Sequence, residues 1–347
     1  RACLVLGPER HREAYELGVT NLLAALGAHG DQGEFEEGIG YASFTVSSML
    51  HAARAMALAG DGRALEQPFL QRFPTWMVHH IQPGRMAVNC FDAKGAALPR
   101  SGSAFAPLLS LLVLCTGSTA ARWALRTQFD GPSDDLAGLL SRALLTRGDD
   151  PAPPLFAAYD RARRLNWRDS WRDDATGGWV RGGPEPDQHA HRDRGHVNFI
   201  SRGRPILIEA GTPAYHHPEL ARLFASGVGH NVLQLGLEMP EPAADGVRAS
   251  PPAGWQKVRA VAELRVERLD ERGGVATVDC TAGYPGLDQW LRHVAWSAEL
   301  LRVEDDVALA AGETDTVLFR WHLGTTGPVA LTGGGTRSVA SPAAFGV

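Results

Sequence analysis

Residues 187–231 read DQHAHRDRGHVNFISRGRPILIEAGTPAYHHPELARLFASGVGHN and hold six of the chain's 13 histidines. The run HAHRD within this stretch alternates. Because side chains on a strand repeat every two residues, the alternation predicts one shared face for His189, His191 and Asp193. Imidazole groups, together with a carboxylate such as that of Glu209, are usual ligands of a zinc-like cation, and imidazole also carries protons near neutral pH. The stretch therefore predicts a functional site on a β-sheet.

The run SRGR at 201–204 predicts a tight hairpin turn in the same stretch. If Arg202 and Gly203 form its loop, Glu209 lies opposite His196 on the paired strand. Gly195 would also let the chain bend and bring His191 to Glu209 instead. The residues alone leave both pairings open.

Strand signals dominate the chain downstream of RGDDPAPP (147–154), where the composition changes and a linker is predicted. Many strands without helices between them favour antiparallel sheets stacked as a sandwich. We expect this β domain to span residues 160–347. The candidate strands are 177–182, 196–201, 204–210, 229–236, 256–267, 274–281, 290–297, 299–304 and 315–323.

Helical periodicity dominates the chain upstream of the linker, so we expect a helical domain over residues 1–150. Short connectors rich in Gly, Pro and Asp separate helices of similar length, which is typical of packed helical hairpins. The fold class is therefore α+β with two domains. The candidate helices are 10–27, 41–59, 66–81, 104–115, 119–129 and 134–146.

Composition describes an ordinary globular protein of 347 residues, with 44% hydrophobic and 21% charged residues. A net charge of -5 gives no indication of a nucleic-acid or anionic-membrane partner. The four cysteines form no CxxC pair, which argues against a disulfide framework and a thiolate zinc site. No apolar run approaches the ~20 residues that a membrane helix needs. The chain begins at Arg1 inside what looks like a structured segment, so we interpret it as a fragment.

The motifs of the stretch resemble the C-terminal region of the heparinase II/III-like polysaccharide lyases. The resemblance rests on His191-x-Asp193-x-Gly195, on GRP at 203–205, on EAG at 209–211, on Tyr215 and on His230-Asn231. Upstream, the run EEGIGY at 36–41 resembles the family's second signature, in the family's order. The resemblance implies an incomplete (α/α) toroid followed by an antiparallel β-sandwich, and a periplasmic or secreted bacterial location.

The resemblance matches His191, Glu209 and His230 to the family's metal ligands and implies a structural Zn²⁺. The family usually has Asp where this chain has Glu209. Two histidines and one carboxylate leave a fourth position for water. A buried hydrogen-bond network without an ion is the alternative. Asp193 is either a group that accepts a proton from a ligating imidazole or a turn residue before Gly195.

The resemblance also implies catalytic residues. Tyr41 matches the family's proton-transferring tyrosine, although taken alone it would be a packing residue. His189 is expected in the substrate cleft, with a third metal ligand or a surface histidine as the alternatives. Tyr215 would help proton transfer, stack on a sugar ring, or only cover the sheet. Glu37 and Asn231 are expected to contact substrate.

These residues suit β-elimination at a uronic acid of an acidic polysaccharide, in which a base, an acid and a group that neutralises the carboxylate are needed. The family's neutralising Asn or His upstream of the tyrosine has no convincing match before Tyr41. Two alternatives remain: a metal-dependent glycan hydrolase with Asp193 as its base, and a non-catalytic carbohydrate-binding protein of the same fold. Convergence of Tyr41 and His189 on one cleft would favour the lyase.

Overall fold

The computed structural model describes residues 2–93, 97–145, 149–183, 189–236, 255–257, 260–312 and 316–324. Within them the chain combines α-helices with antiparallel sheets, which agrees with the predicted α+β class. The helices are α1 (Ala2–Leu6), α2 (Arg12–Ala28), α3 (Gly38–Leu58), α4 (Pro68–His79), α5 (Ala106–Thr116), α6 (Thr119–Thr127) and α7 (Leu136–Leu145). None of the described helices is both long and apolar enough to cross a membrane.

Antiparallel strands form a five-stranded sheet in the order β3-β4-β5-β6-β7 and a four-stranded sheet in the order β12-β11-β10-β9. Two-stranded ladders join β8 to β13 and β1 to β2. The strands are β1 (Ile81–Gln82), β2 (Met86–Ala87), β3 (Phe156–Tyr159), β4 (Arg164–Arg168), β5 (Gly177–Arg181), β6 (Val197–Ser201), β7 (Arg204–Leu207), β8 (Leu233–Leu235), β9 (Glu263–Asp270), β10 (Gly273–Asp279), β11 (Leu287–Trp296), β12 (Leu301–Leu309) and β13 (Val317–Phe319).

The six predicted helices all correspond to observed ones, and the sequence did not predict α1 as a helix. The prediction missed four of the described strands. β1 and β2 lie within the helical part, and β3 and β4 lie just after the predicted linker. The strand expected at 256–267 begins only at Glu263, and residues 258–259 of it lie outside the described residues. Arg147 and Gly148 of the predicted linker also lie outside them.

The HAHRD run is not a strand, so the prediction of one shared face is wrong. His189 has a left-handed backbone with φ of 59°, which breaks any period-two alternation there. Asp193 forms a turn in which its carbonyl accepts from the amide of His196 at 2.9 Å. Gly195 continues this turn at φ 92°, where an added Cβ would lie 3.0 Å from Trp290. The histidines are therefore presented by a loop.

The hairpin between β6 and β7 turns at Arg202 and Gly203, as predicted. Both residues have positive φ, 50° and 72°, which is the geometry of a type I′ turn. A bulge between Phe199 and Ile200 then shifts the pairing by one residue. This shift removes the simple register that would have placed Glu209 opposite His196.

Two large apolar cores support these elements, and a small third cluster surrounds Phe91. Residues of the helices form one cluster, with Phe73, Trp76 and Leu109 among its fully buried members. Side chains of the five-stranded and four-stranded sheets share a second cluster that includes Val180 and Val294. The two sheets are therefore held by one common core.

The hairpin loop of the five-stranded sheet meets the segment that follows α4 at a contact between glycines. An added Cβ on Gly84 would lie 2.2 Å from the carbonyl oxygen of Gly203, and one on Gly203 would lie 2.6 Å from that of Asp173. The Gly84 amide donates to the Asp173 carbonyl at 2.7 Å. Both glycines have positive φ, so a side chain at either position would be strained as well as blocked.

Candidate active site and metal centre

The run VNCFDA at 88–93 follows β2 and precedes α5, and it places one carboxylate, that of Asp92. Phe91 precedes it in a left-handed conformation with φ of 63° and is buried. Its ring lies where Gly38, at the start of α3, has no side chain, and the Arg181 guanidinium packs over it at 4.1 Å. The Thr212 hydroxyl donates to the Phe91 carbonyl at 3.0 Å. Packing on both sides thus fixes the direction of Asp92.

Tyr41, His189 and Tyr215 lie together at this point, although they come from α3 and from two separate loops. The Tyr41 and His189 rings stack with centroids 4.0 Å apart and an interplanar angle of 18°. The Tyr41 and Tyr215 hydroxyls share a short hydrogen bond. Tyr215 is 61% exposed, and the His189 side chain is partly exposed. The group therefore combines two hydroxyls and an imidazole at the edge of solvent.

Asp92 contacts both halves of the site. Its Oδ2 lies 2.7 Å from His189 Nδ1 and accepts from the Tyr215 hydroxyl at 3.0 Å. Its Oδ1 lies 3.1 Å from His191 Nε2. Burial raises the pKa of Asp92, but the hydrogen bonds from His191, Tyr215 and His189 outweigh it and hold the pKa below its ordinary value. Conversely, burial together with the contacts to Tyr41 and Asp92 raises the pKa of Tyr215 well above its ordinary value.

A second, buried cluster lies next to the Tyr41, His189 and Tyr215 group. It consists of the side chains of His191, Glu209 and His230. Glu209 Oε1 lies 3.8 Å from His191 Nδ1 and 3.3 Å from His230 Nδ1. Ligands of a tetrahedral zinc with bonds of about 2.0–2.1 Å lie roughly 3.3 Å apart, so the spacing suits such an ion. Among the described residues these three form the group that meets the geometry of a metal site.

The polar atoms of this cluster also fit a cation. Both Glu209 carboxylate oxygens, both His230 ring nitrogens and His191 Nδ1 are buried without a hydrogen-bond partner among the described residues. Leaving such groups unpaired is costly. Burial raises the pKa of Glu209 far above its ordinary value and lowers that of His230. A divalent cation would satisfy all three groups, and Asp92 would orient His191 from behind.

His196 and Asp193 make their polar contacts outside the cluster of His191, Glu209 and His230. The His196 Nδ1 accepts a hydrogen bond from the backbone amide of Asn231 at 3.0 Å. Burial lowers the pKa of His196 to about 3. The Asp193 carboxylate lies 2.8 Å from Arg181 and 2.9 Å from Arg194. Its backbone forms the turn before Gly195, so the turn interpretation of Asp193 fits, and its carboxylate is paired with arginines.

Asn231 does not have the placement expected of a substrate contact. Its side chain is buried, and its amide donates to the Val197 carbonyl at 2.9 Å and the Ile208 carbonyl at 3.0 Å. Its Oδ1 accepts from the His322 amide at 2.6 Å. Asn231 therefore joins three backbone segments instead of facing the cleft. Glu37 is the N-cap residue of α3 and is partly exposed, a position open to a ligand.

Sequence reasoning missed Asp92, which contacts His189, His191 and Tyr215. Its partners lie 97, 99 and 123 positions away, and no motif marks it. The available signal was a lone carboxylate in the otherwise uncharged run MAVNCFDA at 86–93. Such a residue in an apolar setting needs a partner when it is buried.

A model of the heparinase II/III-like C-terminal family matches residues 166–344, which is more than half of the chain. The chain belongs to the heparinase II/III-like family. The region matched carries His189, the three clustered residues and Tyr215. A search of curated proteins gives no match.

Solved structures with the same fold include a heparinase III and a heparan sulfate lyase. A heparinase III solved with methylated lysines has a TM-score of 0.62 and 16% identity, and the match covers 91% of this chain and 44% of the other. A mutant of the heparan sulfate lyase HepC from Pedobacter heparinus has a TM-score of 0.60 and 16% identity, covering 85% of this chain and 42% of the other. The chain thus spans under half the length of these two proteins.

Proposed function

We propose that this chain carries a large part of the active site of a polysaccharide lyase that cleaves a uronic-acid-containing acidic polysaccharide by β-elimination. The observation that carries the proposal is the convergence of Tyr41 and His189, which stack at 4.0 Å from separate elements. Family membership and the fold shared with a heparinase III and a heparan sulfate lyase support the same reaction class.

The reaction removes the C5 proton beside the uronate carboxylate and breaks the bond between C4 and the glycosidic oxygen. The electron pair of the C5–H bond becomes the new C4–C5 double bond, and the departing oxygen takes up a proton. The enzyme must offset the carboxylate charge, receive one proton and return one. The products are a new chain end and a conjugated unsaturated uronate.

Tyr41 and His189 divide these tasks in our proposal. The Tyr41 hydroxyl moves the proton between C5 and the leaving oxygen, with the Tyr215 hydroxyl as its hydrogen-bond partner. His189 holds one proton on Nδ1 against Asp92 and takes a second on Nε2 as substrate binds. The Nε2–H of this charged ring then donates to the uronate carboxylate and offsets its charge. Glu37, at the start of the helix that carries Tyr41, contacts a neighbouring sugar.

We further propose that His191, Glu209 and His230 hold a structural zinc ion. When bound, the ion supplies charge compensation inside the sheet region and cross-links β-domain loops. The unpaired buried atoms of the three residues support this assignment. A glutamate in place of the family's usual aspartate is accommodated by the 3.3 Å and 3.8 Å approaches of its Oε1.

The burial of this cluster argues against the hydrolase alternative. A hydrolytic metal needs an open position that substrate and water reach. The three ligand residues are all buried, and Asp193, the base that such a mechanism would use, pairs with two arginines. The convergence of Tyr41 with His189 likewise favours the lyase over a non-catalytic binding protein.

At a finer level of the fold, we propose that the helices belong to an (α/α) toroid and the sheets to a β-sandwich. The core shared by the two sheets supports the second part. A periplasmic or secreted location is proposed with them, because the substrate would be an extracellular polymer.

The test uses the full-length gene product that contains this chain, with a panel of uronic-acid polymers. We expect ultraviolet absorbance from the unsaturated uronate to grow with time on at least one polymer. Release of reducing ends without new absorbance would replace the lyase by a hydrolase. Binding to a polymer without either product would indicate a non-catalytic role.

A further inference from the structure

We propose that Asp92 is a positioning residue that joins the metal centre and the Tyr41–His189–Tyr215 group into one hydrogen-bonded unit. The role of Asp92 in turnover rests on the lyase function proposed above. Its role at the metal centre does not, so the two are tested separately.

The proposal starts from the two oxygens of one carboxylate. Oδ1 contacts His191 Nε2 at 3.1 Å, and Oδ2 contacts both His189 Nδ1 at 2.7 Å and the Tyr215 hydroxyl at 3.0 Å. An ionised carboxylate only accepts hydrogen bonds. All three partners must therefore direct a proton towards Asp92.

This requirement fixes the tautomers of two histidines. His191 must carry its proton on Nε2, which leaves the lone pair of Nδ1 directed towards Glu209 and available to a cation. His189 must carry a proton on Nδ1, which leaves Nε2 as the atom available to substrate. Asp92 thus selects opposite ring nitrogens of two histidines for two different tasks.

The same carboxylate fixes the direction of the hydroxyl chain. Because Tyr215 has one hydroxyl proton and donates it to Asp92, the short hydrogen bond between the tyrosines takes its proton from Tyr41. The Tyr41 oxygen then keeps its lone pairs for the cleft. Without Asp92, these contacts would not determine which of the two tyrosines donates the hydrogen bond between them.

The backbone around Asp92 is built to hold it. Phe91 adopts a left-handed conformation that a bulky residue seldom adopts, and such strain persists only where surrounding packing enforces it. Here Gly38 and Arg181 enclose the ring, and Thr212 caps the carbonyl. Gly38 begins the helix of Tyr41, and Thr212 precedes Tyr215 by three residues. The elements that fix Asp92 therefore also carry its partners.

Asp92→Asn is the decisive variant because it keeps the shape and replaces one acceptor oxygen with a donor. We expect the zinc affinity, measured by chelator competition, to fall about 10- to 100-fold, as for other groups that orient metal ligands. Nitrogen-15 NMR of histidine-labelled protein should show the Nδ1–H form of His189 in the native protein and its loss in the variant. Neither measurement requires turnover.

With a polymer that the native enzyme cleaves, the same variant should lose about 10- to 100-fold in kcat with KM changed by less than about threefold, because binding groups remain in place. The matched control is Asp150→Asn, which removes a buried carboxylate held by Arg122 and Arg126. It should change thermal stability while leaving zinc affinity and the His189 tautomer unchanged.

Three results would overturn the proposal. Unchanged zinc affinity in Asp92→Asn would remove the link to the metal. A neutral His189 protonated on Nε2 alone in the native protein would remove the link to the cleft. Equal losses in Asp92→Asn and Asp150→Asn would reduce Asp92 to a stabilising residue. If no polymer is cleaved by the native protein, the lyase proposal fails, while zinc affinity and NMR still decide the role of Asp92.

Discussion

The imidazole of His189 lies flat on the phenol ring of Tyr41, with ring centroids 4.0 Å apart. The contact joins α3 to a loop that immediately precedes His191, a proposed metal ligand. Offset stacking of this kind adds specific geometry to the area it buries. The position of each group in the cleft thus depends on the other.

Replacing Tyr41 with phenylalanine should lower kcat by about 100-fold or more, as expected when a general acid–base group is lost. The ring remains to stack on His189, so thermal stability should stay close to that of the native protein. The measurement is the ultraviolet absorbance of the unsaturated product. Tyr15→Phe, which loses only a hydrogen bond to Asp61, is the control and should keep full activity. Native rates in Tyr41→Phe would remove the tyrosine from the mechanism.

Replacing His191 with alanine should release the metal, because two ligands hold zinc far more weakly than three. Metal analysis of the purified protein should show zinc in the native chain and little in the variant. A ligand present at 100 times its Kd stabilises a fold by about 2.7 kcal/mol. A chelator should therefore also lower the melting temperature of the native protein and leave that of the variant unchanged. His293→Ala, on the exposed face of β11, is the control. Equal zinc content in native protein and His191→Ala would refute the assignment.

Replacing Asn231 with alanine should destabilise the fold instead of weakening substrate binding. The substitution leaves two buried carbonyls and one amide without their partners, which we expect to cost roughly 3 kcal/mol or more. The melting temperature should fall, while KM of the folded protein stays near the native value. Asn21→Ala, at an exposed position of α2, should have little effect. A raised KM at native stability would restore Asn231 as a substrate contact.

Glu34 should make stability depend on pH. Burial raises its pKa from 4.5 to about 7, although the Ala162 amide donates to it at 2.7 Å. The folded state therefore holds a proton that the unfolded state releases above its pKa of 4.5. The stabilisation is complete below that pKa and is lost as pH rises to about 7, by roughly 3 kcal/mol.

Glu34→Gln removes this titration because the amide stays neutral. Compared with the native protein, the variant should melt at a similar temperature near pH 4 and at a higher temperature at about pH 8. Thermal scans across this range, with the exposed Glu267→Gln as control, make the comparison. Parallel pH profiles of native protein and Glu34→Gln would show that Glu34 does not titrate as described.

The elements that sequence predicted well are those whose signals are local. Helical periodicity located α2 to α7, and the SRGR run located the β6–β7 turn, because each depends on neighbouring residues. The resemblance matched His191, Glu209 and His230 to the ligands of one metal site, and in the structure their side chains lie together.

The parts that sequence could not predict depend on distant packing. The HAHRD alternation predicted a strand, but the left-handed conformation of His189 and the turn at Asp193 override it. A single bulge after Phe199 altered the hairpin register. Asp92 acquired its importance from partners nearly a hundred residues away, which no local pattern reports.

The glycine contact between Gly84 and Gly203 bears on how this protein tolerates mutation. Main-chain atoms meet there, so the spacing between the helical segment and the sheet does not vary with side-chain size. Residues nearby are free to diverge while that spacing stays constant. Homologues that share little sequence would then keep the same spacing at this contact, provided that both glycines persist. Replacement of either glycine should therefore be rarer among natural variants than replacement of its neighbours.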